Sequence, residues 1–360
     1  MLQIRPRYAL PVAIFSALLL ILSIPSGVSL QINSISSQGI INYTGDEPWW
    51  GVCIGDTFWP PCGSYFTDTQ IDMIRNANGT CIRLLIEYKA WDENLTDNIL
   101  GISYRDYLKQ LVEWCHPDIK VFTELTNDAN YENWNAETKV EIIRDDAKRQ
   151  KWIAWGVEVV EYCNPDGIGL MDEPCGAGSM DSLNFTPEEY RTTFVVPFIE
   201  ALRTVDSDVK IFVQGNPWHY FDMFFPEGEE HGGITGAGLL PYDNVVYLMS
   251  YPYYSGNDVG WESLYYGGDL AAARNALHRM LDGKVGGIVS QGGEIHLTAS
   301  VYRADLPNWT AFLKDTYDWM KDNNIGFTQY GLTKGTNWRL VESNYVEWNN
   351  IGQFWAENVP

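Results

Sequence analysis

The sequence predicts an α/β fold in which eight parallel strands close into a (β/α)8 barrel, and three observations carry that expectation. Eight short apolar runs rich in β-branched residues alternate with helical patterns along the 360 residues. The runs recur at about 39 residues per unit, a normal length for one strand and one helix of such a barrel. No linker, low-complexity tract or long charge run interrupts residues 45–360, so one domain holds all eight units. Alternating buried strands and helices argue for a parallel sheet covered by helices. No GxGxxG or GxxxxGKS/T motif follows any strand, which removes the phosphate-binding signature of an open doubly wound sheet.

The strand runs begin near Trp49 (WWGVCIG), Thr80 (TCIRLLIEY), Ile119 (IKVFTEL), Gly167 (GIGLMDE), Val209 (VKIFVQG), Asn244 (NVVYLMSY), Val285 (VGGIVSQGGE) and Ile325 (IGFTQYG). Between them, residues 103–114 put Tyr104, Tyr107, Leu108 and Leu111 on one helical stripe. Residues 136–163 read as one long helix. Residues 186–205 open with Thr186, Pro187 and Glu189, the pattern of a capping box with proline at the first helical position, and Pro197 should kink that helix. Residues 269–281 and 305–323 open on Asp caps, and residues 344–358 close the chain with a last helix.

The first residues have a different character. Arg5 and Arg7 precede a run from Tyr8 to Ile24 without charge, and small residues follow, with Gly27 and Ser29 placed for cleavage. That order describes an export signal over residues 1–29, or else an uncleaved anchor through residues 8–24, with residues 30–44 as a linker to the barrel. Five N-x-S/T acceptors (Asn42, Asn78, Asn94, Asn184 and Asn308) and six cysteines fit an extracellular chain. No CxxC or Cys/His cluster suggests a metal, and no cofactor is expected. Cys163 and Cys175 flank the fourth strand, roughly 20 Å apart if the strand is extended, too far to bond to each other. Cys115 and Cys163 both end helices at the amino-terminal face and are expected to pair; Cys62 has Cys53 and Cys175 as candidate partners, and buried free thiols are the alternative. With 24 basic against 47 acidic residues the formal charge is −23, which opposes nucleic acid and anionic membrane surfaces as partners.

Active sites of such barrels lie at the carboxyl ends of the strands. The fourth strand ends Asp172-Glu173-Pro174 and the seventh run ends Gly293-Glu294. Two glutamates three units apart can face each other across the mouth, and paired carboxylates are the apparatus of glycoside hydrolysis. Here the chain resembles the clan A glycoside hydrolases, closest to family 5, the cellulase and mannanase group. GIGLMDEP resembles that family's strand-four motif, GGE its strand-seven nucleophile motif, TCIRLLI its strand-two segment with Arg83 as the active-site arginine, and VVYLMSYPYY its strand-six segment. The resemblance implies that Glu173 is the acid/base and Glu294 the nucleophile of a retaining hydrolase of a β-linked polysaccharide or oligosaccharide such as β-glucan, cellulose or mannan. With the export features above, the enzyme is expected to be secreted and monomeric. It implies that Arg83 holds Glu294 ionised. The chain departs from the family pattern at Asp172 (normally Asn), Tyr251 (normally His, with Tyr253 matched to the family Tyr) and Tyr330 (normally Trp). The usual strand-three His is replaced by Glu124 or Asn127. DGIGLMDE is also similar to the family 18 chitinase motif, which would use Glu173 alone, but Gly169 and Met171 stand where that motif has acids. A catalytically inactive, glycan-binding barrel is the non-enzyme alternative.

The aromatic content, with 15 Trp and 21 Tyr, fits a sugar-binding mouth. Trp59, Trp91, Trp134, Trp218 with His219, Tyr253, Tyr254, Trp261 and Trp338 follow strand ends and are expected on the substrate face. Trp114, Trp152, Trp155, Trp319, Trp348 and Trp355 lie at helical spacing and are expected to pack the core.

Overall fold

A computed structural model of the chain describes residues 47–54, 66–96, 101–126, 136–172, 174, 187–214, 239–249, 252–254, 260–289, 291–301, 304–331, 340–341 and 347–360. The leader and linker read in residues 1–44 lie outside these residues. The unit that holds the barrel is Ile41–Pro360. Among the described residues no helix is long and apolar enough to cross a membrane.

Eight parallel strands close the barrel: β1 (Trp50–Ile54), β2 (Cys81–Glu87), β3 (Lys120–Thr126), β4 (Gly167–Gly169), β5 (Lys210–Gln214), β6 (Val245–Met249), β8 (Glu294–Val301) and β9 (Gly326–Gln329). Each pairs with its neighbour in chain order, and pairing of β6 with β8 and of β9 with β1 completes the ring. The short β7 (Tyr253–Tyr254) pairs with Ser300 and Val301 at the far end of β8. Strands such as β1, β5 and β6 are buried along their whole length, as a parallel sheet covered on both faces requires.

The helices are α1 (Asp68–Asn76), α2 (Tyr88–Asp92), α3 (Tyr104–Cys115), α4 (Ala136–Arg144), α5 (Asp146–Cys163), α6 (Pro187–Tyr190), α7 (Val196–Arg203), α8 (Gly260–Gly267), α9 (Leu270–Val289), α10 (Trp309–Asp322) and α11 (Asn350–Asn358). The large apolar core lies between these helices and the strands. A separate small cluster of Phe122, Phe212, Val246 and Leu248 fills the barrel itself, with Trp49 closing it from below. Phe122 and Phe212 stack at 4.0 Å, and His296 meets both rings edge-on.

Several expectations change. Residues 136–163 form two helices, because the Asp145 carboxylate accepts from the Lys148 amide and starts α5 afresh. Ahead of Pro197, one turn of π-helix (Arg191–Val195) joins α6 to α7, where the regular ladder would want the amide donor that proline lacks. Asp269 caps α9 through the Ala272 amide, as its sequence suggests. Asp305 does not cap α10, which starts later at an Asn308 in the left-handed region. The largest change is the seventh run: VGGIV is the last turn of α9, and the strand is β8, which begins at Glu294 instead of ending there.

Cys115 and Cys163, expected to form a disulfide, are free. Each is the last residue of a helix (α3 and α5) and turns into the core, where burial pushes both thiols up to about 12. They behave there as small apolar side chains. Cys62 and Cys175 lie outside the described residues.

Candidate active site

The carboxyl ends of the strands hold a buried charge cluster built on β2, β3 and the segment after β4. Charged residues inside a strand face inward here because alternate positions point into the barrel. Arg83 of β2 is almost fully buried and donates from Nε to Oε2 of Glu124 on β3 at 2.5 Å. Its Nη2 bonds the same oxygen and also Oδ1 of Asp172 at 2.8 Å. Its Nη1 reaches Thr298 Oγ1 of β8 at 3.3 Å. Thr298 in turn meets Thr328 of β9 at 3.1 Å, so the side chains of Glu124, Asp172 and Thr298 hold the guanidinium and Thr328 supports the last of them.

Strand four makes room for this arrangement. A Cβ on Gly167 would lie 2.6 Å from the Phe212 ring, and one on Gly169 would lie 2.6 Å from Cγ of Glu124. The Gly-Ile-Gly pattern therefore turns two empty positions inward, one for the phenylalanine pair and one for the carboxylate. Beyond the strand, Asp172 donates its amide to Leu125 O at 2.8 Å, and its carbonyl accepts from Lys139 Nζ of α4 at 2.7 Å. Lys139 is buried. Glu173 lies outside the described residues, between Asp172 and a buried Pro174.

Burial, opposed by Arg83 and reinforced by the charge of Asp172, pushes Glu124 up to about 7. His296 lies deeper, with Nε2 3.3 Å from Thr328 Oγ1. Burial, then Arg83 and Lys210, push it well below its ordinary range, so it is a neutral imidazole.

Glu294 does not stand at this mouth. As the first residue of β8 it pairs in register with Val246 near the start of β6. Both its carboxylate oxygens accept from Lys210 Nζ at 2.8 Å, and Lys210 is the first residue of β5. Lys210 also sits 5.4 Å from the Trp49 ring. Thr298 lies four steps further along β8 than Glu294, about 13 Å along the strand. The expected nucleophile is thus part of the floor of the barrel, and Arg83 bonds Glu124 and Asp172 in its place. The strand runs on from Glu294 instead of leading up to it, which sets this glutamate at the amino end of the barrel.

The other expected contacts divide. Arg83 and Asp172 come together as expected. Tyr253 is in β7, which pairs alongside the carboxyl end of β8, and Tyr330 directly follows β9. Trp218, His219, Tyr251 and Trp338 lie outside the described residues, as do Trp59 and Trp134. Trp91 is a correction: it is buried in α2, donates to Glu158 at 3.2 Å and carries Arg105 on its ring. Tyr254 and Trp261 are also packing residues, in a cluster with Tyr265 and Phe312. Trp152, Trp155, Trp319 and Trp355 are buried in the core as their spacing predicted. Lys139 and Thr298 were not foreseen; a lysine in a charged helix and a threonine in an unrecognised strand leave no separate mark in the sequence. Among the described residues no group of three His, Cys, Asp or Glu could hold a metal ion.

No family model matches the chain, and no curated protein sequence matches it. Solved structures do. A Thermotoga maritima Cel5A in complex with mannotriose superposes with a TM-score of 0.61 at 13% identity, covering 86% of this chain and 96% of that one. A broad-specificity GH5-4 endoglucanase from Clostridium acetobutylicum gives 0.62 at 13% identity, over 85% and 96%. The cellulose synthase subunit Z of Clostridioides difficile gives 0.60 at 14% identity, over 87% and 99%. At these identities the likeness establishes the barrel fold.

Proposed function

We propose that the chain is a glycoside hydrolase of β-linked oligo- or polysaccharides, with Glu173 as its general acid/base. The observation that carries this reading is the Arg83–Asp172 pair at the carboxyl mouth of the barrel, directly before Glu173. Asp172 accepts hydrogen bonds only and is suited to a sugar hydroxyl, while its charge favours the protonated form of a neighbouring acid. Folds similar to this one include enzymes described with mannotriose and cellobiose, which supports glucans and mannans as first substrates. Glu173 would protonate the departing glycosidic oxygen and then take a proton from the attacking water.

Retention by double displacement needs a second carboxylate close to the first. That residue is one other than Glu294. The family 18 alternative loses ground, because Met171 is fully buried where such a mechanism needs an acid. Secretion, with the first residues as signal or anchor, and a monomeric state belong to the same reading.

The test is a panel of β-glucan, cellulose oligomers, mannan and chitin oligomers, with anomeric NMR of the first product. We expect hydrolysis of a β-glucan or β-mannan with retention, and a Glu173→Gln variant at least ~10²-fold slower. A fluoroglycoside label with peptide mapping then identifies the nucleophile. Full activity of Glu173→Gln would falsify the assignment.

A further inference from the structure

Glu124 is the one group in the mouth cluster whose placement the glycosidase reading leaves unused. It is fully buried, so it does not touch substrate. One oxygen takes two donors of Arg83, while the other, Oε1, is buried without a hydrogen-bond partner. An ionised carboxylate in that state keeps an unmet desolvation cost. Two cations serve the cluster: Lys139 bonds the backbone oxygen of Asp172 and its charge also favours the ionised form of Glu124, while Arg83 bonds both carboxylates directly, with Nη2 as the shared atom. Among the described residues, β8 adds Thr298 and the neutral His296 to the cluster, and β9 adds Thr328. The Glu294–Lys210 pair is self-compensated on the floor.

We propose that Glu124 is a positioning residue for the strand-four acid: it divides Arg83 with Asp172, so the charge on Glu124 sets how firmly Arg83 holds the carboxylate beside Glu173. The proposal rests on the reading of Glu173 as the acid. When Glu124 is protonated, Arg83 belongs to Asp172 and offsets its charge. When Glu124 ionises, Arg83 is drawn toward it, and the less compensated Asp172 raises the proton affinity of Glu173. Burial pushes Glu124 up to about 7, which puts this change near neutral pH.

Carbon-13 carboxyl NMR on protein labelled at Asp and Glu tests the first half without any substrate. Glu124 is assigned by its absence from Glu124→Gln and Asp172 by its absence from Asp172→Asn. We expect Glu124 to titrate far above the other glutamates, the Asp172 resonance to move at the same midpoint, and that step to vanish from Asp172 in Glu124→Gln. An Asp172 signal indifferent to Glu124, or a Glu124 midpoint in the ordinary carboxylate range, overturns the proposal. The second half is the pH profile of kcat/KM on cellotetraose or mannotetraose. The alkaline limb of Glu124→Gln should move down by about one pH unit, the size of a single nearby charge. A coupled titration with an unmoved limb also overturns the positioning role. If Glu124→Gln does not fold, Glu124→Leu, which removes the charge at similar volume, replaces it in both measurements with the same expected outcomes. Absence of turnover by the wild type on the whole panel removes the hydrolase reading and leaves the titration to decide whether Glu124 governs Asp172.

Discussion

Arg83 is the residue on which the mouth cluster depends. It is 1% exposed and lies between two carboxylates, one of them fully buried. Removing a cation from such a site leaves uncompensated buried charge, which costs about 3–5 kcal/mol, whereas its own packing is replaceable. Arg83→Met, which keeps the length and apolar stem, should therefore lower the stability of the fold by that amount at neutral pH. The loss should shrink in acid, because protonated Glu124 no longer needs the cation. Urea titrations at pH 7 and pH 4 read both; equal losses at the two pH values would contradict the electrostatic account. Arg83 and Asp172 were legible in the sequence through the resemblance of TCIRLLI and GIGLMDEP to the family's strand-two and strand-four motifs. Glu124 was seen as reaching the rim, but its share in Arg83 depends on the register between β2 and β3, which sequence spacing does not set.

At the level of elements, seven strands could be read from their β-branched runs, and the seventh barrel strand could not. VGGIV looks like a strand because Val285, Ile288 and Val289 are bounded by glycines. Yet Leu277, Leu281, Val285 and Ile288 recur at helical spacing and are all buried, which continues α9 to Val289. The true strand hides because its inward positions are polar: Glu294, His296 and Thr298 alternate with outward Ile295 and Leu297. An exposed helical Gly286, with open space where a Cβ would go, makes the two assignments testable. Gly286→Ala should stabilise the protein by up to about 1 kcal/mol if that segment is helix. A shift of the melting temperature downward would argue for an extended conformation. The same logic applies to the cysteines: ending two neighbouring helices suggested a bond, but both side chains are absorbed by the core.

The whole molecule separates its two ends by task. The floor of the barrel is closed by Trp49, Lys210 and Glu294 beneath the Phe122–Phe212 stack, and these groups hold the strands' amino ends together. The mouth, with Arg83, Glu124 and Asp172, lies on the other side of that stack and carries the chemistry proposed for Glu173. Between them is a packed apolar layer with no room for a sugar, so a substitution in the floor acts on turnover only through the stability of the barrel. Glu294→Gln leaves Lys210 without its carboxylate. It should cost about 1.5–3 kcal/mol, the worth of a charged hydrogen bond, while kcat/KM measured well below the melting temperature stays within about threefold of wild type. Asp172→Asn should show the opposite pattern, with a changed pH profile and a smaller change in stability. Thermal melts and rates on the same preparations decide between this division and a catalytic Glu294: a loss of turnover beyond a hundredfold in Glu294→Gln protein that melts normally would return that glutamate to the reaction.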